Sequence, residues 1–357
     1  MAAVHYRAFA ADRDGTLLAA IDGAELLVWT GAELQPVWKR FANVAWTDVG
    51  VSGDAVWTVD LDGAIEERRR ADGELMHRYV VLSGAGARIA VLGRRVAVAS
   101  AAEVVWIVDG VAVGKVELAK VAALAWSADG QRIAAAEADG AVTVIDALKV
   151  EVLGRISVGG PPTDVDWCAD GYWYVTVGRR LRPVRADGGM VAPPRAARGE
   201  TIRSVVDVAD GGLLALLVGP REVEITTLDL SVALGRIAVG RDIIGIAGGP
   251  QGRIYLGLQY GDIQRVDLYT GSSDAALPHE GRARVLWPSD VRIESAQVRG
   301  QLVRRRVGGG AIAIARNPDL PALSTWWRVV GWVVGGLFAL LLSVLLFWGV
   351  MRYRGVL

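Results

Sequence analysis

The chain has 357 residues, about half of them hydrophobic, and its 39 basic and 39 acidic side chains cancel to a formal net charge of zero. That balance removes any argument from global charge for nucleic acid or an acidic partner, and the single cysteine, Cys168, rules out an internal disulfide or a multi-cysteine metal site. Only Lys39, Lys115, Lys120 and Lys149 among the basic residues are lysine, and asparagine is confined to Asn43 and Asn317, a bias that a heat-adapted source and a GC-rich genome both produce.

The first residues, MAAVHYRAFAADRDG, meet charge before any apolar run of signal-peptide length, so a secretion signal of the usual kind is not expected. From there short runs rich in Val, Ile and Trp, such as AVWTVD from Ala55, VVWIVD from Val104 and AVTVIDA from Ala141, alternate with Gly and Asp turns. This pattern predicts an all-β protein. Aligning the ends of the first strands places an anchor residue at Phe9, Trp46, Val91, Trp126, Trp167, Val208, Ile246 and Trp287, with separations of 37, 45, 35, 41, 41, 38 and 41. Eight units of about 40 residues therefore fill the chain up to residue 316, the period of a propeller blade.

Each unit divides into four strands. In the fourth unit they read VAALAWS, QRIAAAE, AVTVIDA and VEVLGRIS. The tripeptide ADG occurs six times and marks the corners, because Asp tolerates a turn and Gly supplies the positive φ of a tight hairpin. Asp129, Asp170 and Asp210 should close the turn from first to second strand, Asp139 the next one, and Asp72 and Asp187 the turn from third to fourth.

AWSADG followed by ADGAVTVIDA resembles the WD-repeat β-propeller family, with Asp109, Asp146, Asp229 and Asp267 at third-strand ends and Trp29 and Trp106 near the family's tryptophan position. The likeness covers about residues 3–316, although no Trp-Asp dipeptide closes a third strand and the family's Gly-His pair is missing. The resemblance implies a propeller of seven or eight blades. Eight is favoured, since RARVLWP, VRIESAQV, QLVRRRV and AIAIAR supply four strands in order after the seventh unit; otherwise residues 282–316 form a separate stalk.

Chemistry-bearing motifs are few. His5, His77 and His279 lack metal-ligand spacing, and Cys168, beside Trp167 in a first strand, reads as a small buried hydrophobe. Asp12 to Gly15 and Asp60 to Gly63 match only the start of a calcium loop and read as turns. No catalytic residue, metal or cofactor is assigned, although a site assembled on the propeller axis from separated loops would leave no motif.

Two arginine clusters stand out. Arg179, Arg180, Arg182, Arg185, Arg195 and Arg198 form the first, beside a Pro-rich stretch that suits an exposed loop, and are the candidate partner-binding residues. The second, from Arg282 to Arg316, includes Arg304, Arg305, Arg306 and Arg316; with Arg328 these are candidates for contact with a membrane surface. Val329 to Met351 is 23 residues without a charge, long enough to span a bilayer as a helix, flanked by Arg328 and Arg352 and by Trp326, Trp327, Trp332, Trp348 and Tyr353. Gly331 and Gly335 within it form a small-xxx-small pair that would let two such helices pack into a weak homodimer.

The sequence thus predicts a propeller over 1–316, a linker over 317–328, a transmembrane helix over 329–351 and a tail over 352–357. The excess of arginine on the propeller side of the helix orients the propeller to the cytoplasm. The leading functional reading is a tail-anchored, non-enzymatic scaffold docking a protein partner or membrane complex. Two other readings fit the same features. One is a regulator of a small GTPase, since membrane-anchored exchange factors of vesicle budding are similar in layout; the other is an enzyme or ligand sensor with an axial site, or a propeller exported without a visible signal.

Overall fold

The computed structural model describes residues 8–306 apart from 169, 186, 188, 190–194, 197–200, 209–212, 228–232, 260–261, 269–272, 276–283, 287–290 and 299–300. These residues fall within the first of two units of the chain, Met1–Ala313.

Strands follow one another as four-stranded antiparallel meanders. Blade 1 is β1–β4 (Ala8–Ala11, Leu17–Asp22, Glu25–Thr30, Pro36–Phe41), and blade 2 is β5–β8 (Trp46–Ser52, Ala55–Asp60, Ala64–Arg69, Leu75–Val80). Blade 3 is β9–β12 (Gly86–Leu92, Arg95–Ser100, Glu103–Val108, Val111–Glu117), and blade 4 is β13–β16 (Val121–Trp126, Arg132–Glu137, Ala141–Asp146, Glu151–Ser157). Blade 5 is β17–β20 (Pro162–Trp167, Tyr172–Val177, Arg180–Arg185, Arg195–Ala196), and blade 6 is β21–β24 (Ile202–Val208, Leu213–Val218, Glu222–Thr227, Ala233–Ala238). Blade 7 is β25–β28 (Ile243–Gly249, Arg253–Leu258, Ile263–Asp267, Ser273–Ala275).

The first strand of every blade packs against the first strands of its neighbours, and β1 packs against β25, so seven blades close the ring. The seam is a continuous apolar cluster in which Leu18, Ala20 and Trp29 of blade 1 meet Ala247, Tyr255 and Ile263 of blade 7. This overturns the favoured count of eight. Of the strands read as an eighth blade, β29 (Arg284–Leu286) pairs antiparallel with β24 as a fifth, outer strand of blade 6. The next two, β30 (Val291–Val298) and β31 (Gln301–Arg306), form a hairpin sheet of their own, and residues 311–316 lie outside the described residues. The repeat spacing continues past blade 7, but ring closure is set by which surfaces fit, and the fit occurs one unit earlier.

Second strands such as AVWTVD (β6) and LLALLV (β22) are buried at every position. Each blade is packed on both faces, so these strands read as continuous hydrophobic runs instead of alternating ones. Fourth strands form the rim and carry the exposed residues. In blades 1, 2, 3, 4 and 6 the pairing of the third with the fourth strand carries a register shift, a bulge that twists the rim edge, although β24 of blade 6 still takes β29 on its outer side.

Among the described residues the ADG corners fall where the sequence placed them. Asp129 Oδ1 accepts from Gln131 N at 2.9 Å while Gly130 adopts φ +66°, and Asp72, Asp139 and Asp170 accept from the backbone N–H two residues on in the same way. Asp12 and Asp60 are also turn acceptors, from Leu17 N at 3.0 Å and Ala64 N at 2.8 Å. Asp210 and Asp229 lie outside the described residues. Several anchors are displaced: Trp46 begins β5, and the residue matching Trp126 and Trp167 in the ladder is Val51, which pairs with Val56; Phe9 and Ile246 fall two residues before the matching Ala11 and Gly248, and Val208 one after Asp207. Much of the unevenness in the first separations came from those slips.

Candidate functional site

Because each blade is a meander, its second-to-third turn and its connection to the next blade share one face of the ring, here the upper face. First-to-second and third-to-fourth turns share the lower face. Arg179 is exposed in the upper turn between β18 and β19, and Arg180 is exposed at the start of β19. Neither makes an ion pair among the described residues. Arg182 packs over Gly159 in the upper connection from blade 4, with its Nε buried and without a hydrogen-bond partner among the described residues. Arg185 ends β19, a six-residue strand that carries the chain about 20 Å to the lower face, and it pairs there with Asp187 at 2.6 Å. Arg195 lies in β20, opposite Leu181, and Arg198 is outside the described residues. The structure therefore splits the first cluster between two faces.

Arg304, Arg305 and Arg306 lie in β31, opposite Ile293, Arg292 and Val291. Arg316, Arg328, Gly331 and Gly335 lie outside the described residues, as does all of 329–351. Among the described residues no helix is long and apolar enough to cross a membrane. Phe41, Leu61 and Val80, at 69%, 53% and 73% exposure, all sit toward the upper face of blades 1 and 2, where Leu61 N donates to Ala45 O in the connection between them at 3.1 Å.

His77 is exposed on the rim, its Nδ1 2.9 Å from the buried Glu67 carboxylate, and His5 and His279 lie outside the described residues. Cys168 is fully buried, and burial pushes its thiol well above the usual range, as a packing residue would show. No three His, Cys, Asp or Glu residues among those described could hold a metal ion.

The polar constellation that sequence reasoning missed surrounds the axis. First strands have no strand on their inner side, so inward backbone groups need other partners. Side chains of the preceding blade supply them. Asp48 Oδ2 accepts from Ile89 N at 3.0 Å, Asp164 Oδ2 from Val205 N at 3.0 Å and Ser204 Oγ at 2.6 Å, and Asp166 Oδ2 from Asp207 N at 3.1 Å. In each case the backbone donor lies 41 residues on, one blade along. Carbonyls are served likewise: Arg88 Nε donates to Ala122 O at 2.6 Å, Thr163 Oγ1 to Ile202 O at 3.1 Å and Arg203 Nη1 to Ile243 O at 3.2 Å.

These carboxyls remain half-buried in accessible surface because they border the axis, yet protein crowds them. Burial pushes Asp48 up to about 6, against the pull of Arg88, and Asp164 of non-adjacent blade 5 adds to the rise, so the two interact across the ring. Burial also raises Asp164, opposed by its bonds from Ser204 and Val205. Asp166 is pushed up to about 8, first by burial and then by the charges of Asp164 and Asp207. What this set does chemically is fasten blades together. Its signal in the sequence was an acidic or basic residue inside an otherwise apolar first strand.

Residues 95–170, from β10 to the corner after β17, match the family model described as the anaphase-promoting complex subunit 4 WD40 domain. The fold is a WD40-like β-propeller. A chain in the crystal structure of the mitotic checkpoint complex is similar at a TM-score of 0.63, with 12% identity, over 78% of this chain and 86% of that one. At that identity the likeness bears on the propeller fold alone. Among curated proteins none matches the chain in sequence.

Proposed function

We propose that this WD40-like propeller is a non-enzymatic docking platform that holds a protein partner at the cytoplasmic face of a membrane. The observation that carries the reading is the closed propeller whose matched segment corresponds to a subunit of one multiprotein complex and whose fold is similar to a chain of another. Such rings offer broad, rigid faces made of turns. The upper face is the partner face in this reading, because it combines the exposed Phe41, Leu61 and Val80 with Arg179 and Arg180. A partner surface of acidic and apolar character suits it.

Attachment rests on the sequence. Residues 329–351 anchor the chain as one helix after a linker over 317–328, leaving a tail over 352–357. Arg304 to Arg306, Arg316 and Arg328 lie within reach of anionic headgroups, and Gly331 and Gly335 form the contact of a weak homodimer. The arginine bias keeps the propeller on the cytoplasmic side.

The test is affinity purification of the tagged full chain from native membranes, beside a variant with Arg179→Glu and Arg180→Glu. A stoichiometric protein recovered with the native chain and lost with the variant supports the reading. Recovery of the chain alone, or an added protease in sealed right-side-out vesicles that digests the propeller, overturns it.

A further inference from the structure

Blades 1, 2, 3, 4 and 6 neutralise their upper rim in the same way. A base on the fourth strand meets an acid at the turn between second and third strands: Lys39 with Glu25, Arg78 with Asp60 at 3.7 Å, Lys115 with Glu103, Arg155 with Glu137 at 3.0 Å and Arg236 with Glu222 at 2.9 Å. Each base stands opposite the third residue of the third strand, so the arrangement repeats by register. In blade 3 the acid also holds the connection above it, Glu103 Oε1 accepting from Ser83 N at 2.5 Å and Ser83 Oγ at 2.6 Å.

Blade 5 reverses the charge. The two residues that close its turn are Val177 and Arg180, so an apolar residue and an arginine stand where the other blades place their acid. Arg182 follows two residues along β19 on the same side. Val184, next on that side, packs into the cluster shared with blade 4, which puts Arg180 and Arg182 at the upper mouth of the cleft between blades 4 and 5. The connection over this mouth carries no side chain at Gly159, where a Cβ would lie 3.1 Å from Arg182 Nη2. The acids of the flanking turns are already taken. Glu137 and Asp139 bind Arg155, at 3.0 and 2.5 Å, in the turn whose Gly140 abuts Gly160 of the connection, and on the blade 6 side Asp242 binds Arg221 at 2.6 Å.

We propose that the upper mouth of the cleft between blades 4 and 5 seats an acidic segment of the partner, an extended stretch with carboxylates at alternate positions. The proposal rests on the upper face being the partner face, and it names what that face selects. Alternate residues of a strand lie about 7 Å apart on one side, so Arg180 and Arg182 stand at the spacing at which an extended peptide presents every second side chain. Each guanidinium offers a planar fork of donors to one carboxylate, and Arg179 in the adjoining turn adds a third positive charge. In blades 1, 2, 3, 4 and 6 the chain supplies the carboxylate itself. At blade 5 the partner supplies it.

Fluorescence anisotropy of a labelled Glu-Ser-Glu-Ser-Glu peptide against the full chain in neutral detergent reads the site. Its isomer Ser-Ser-Glu-Glu-Glu has the same charge and should bind at least about threefold more weakly, since adjacent side chains of an extended chain point to opposite sides. Arg180→Ala and Arg182→Ala should each weaken the alternating peptide by about fivefold. Arg180→Glu installs the acid found at that place in blades 1, 3 and 6 and should abolish binding. Arg185→Ala, on the lower face, should leave the affinity unchanged. Equal affinity for the two peptides overturns the proposal, as does an affinity that neither Arg180→Ala nor Arg180→Glu alters, both being changes at an exposed position that threaten no packing. The outcome is separable from the platform reading. Peptide binding with no protein recovered from native membranes sinks that reading and leaves the seat standing, whereas a recovered partner with no peptide binding sinks the seat alone.

Discussion

The Tyr255 hydroxyl donates to the Gly15 carbonyl at 2.9 Å, joining two residues 240 apart in sequence across the seam of blades 1 and 7. Tyr255 is almost wholly buried, and the space it fills exists because Gly15 and Gly31 carry no side chain: a Cβ at Gly31 would come within 1.8 Å of Gly15 O. No strand is exchanged between the chain ends at this point among the described residues. Side-chain fit and a few hydrogen bonds, including those from Arg265 to Gly31 O and Ala32 O, hold the ring shut.

Tyr255→Phe should therefore lower stability by about 1–3 kcal/mol, since a buried carbonyl loses its donor while the ring still fills the seam. Gly31→Val should cost more than that, because backbone must move to admit it. Urea midpoints of the two variants against the native chain check the order.

A fragment ending at Pro278 should fold as a closed ring and melt in a single transition, because the seam of blades 1 and 7 is complete without later residues. Among the described residues it loses the separate β30–β31 hairpin and, from the blades themselves, only the pairing of β29 on β24, three residue pairs at the rim. Calorimetry decides this: a broad or multi-step transition would show that the segment after blade 7 is needed for closure.

Two kinds of tryptophan should respond differently to replacement by Phe. Trp106 Nε1 donates to Ala147 O of the next blade at 3.0 Å, whereas the indole nitrogens of Trp57 and Trp173 are buried without a hydrogen-bond partner among the described residues. Trp106→Phe thus strands a carbonyl and should cost about 1 kcal/mol or more beyond Trp173→Phe, the volume change being the same. Paired denaturation curves of the two variants measure the difference.

Stability should rise as pH falls from about 8 to about 4 and then decline. Asp48 and Asp166 have native values of about 6 and about 8 against an ordinary 3.8, so through this range the native state holds protons that the unfolded chain releases. Glu103 acts in the opposite sense. Its contact with Lys115 and its bonds from Ser83 hold it down to about 2 against an ordinary 4.5, so its contribution is full above the ordinary value and lost as pH falls through the native one. Melting temperatures across the range should pass through a maximum between about pH 4 and pH 5. A maximum at neutral pH would contradict the carboxyl assignments.

The repeat itself was legible in the sequence because turn chemistry and strand composition are local. Asp followed by Gly made each corner visible, and runs such as Ala55 to Asp60 announced strands packed on both faces. The second repeat was read five residues early because Trp46 looks like the strand-ending tryptophans Trp126 and Trp167. Composition marks a residue type, whereas the bulge that sets the register of β5 comes from pairing.

The axial aspartates were present in the same text and passed unread, since an acidic residue in an apolar strand means little until its partner is known. Asp48, Asp164 and Asp166 gain their roles from N–H groups one blade along, a relation that exists only once the ring has formed. In the same way the arginines from Arg179 to Arg185 look like one cluster along the chain, and β19 divides them between opposite faces. The sequence by itself determined a chain of four-stranded units of about 40 residues with ADG corners, because period and turn geometry are written residue by residue. Only the tertiary structure decided that seven of them make the ring. Closure depends on two distant surfaces fitting, Tyr255 over Gly15 and Gly31, and no local pattern encodes a fit between residues 240 apart.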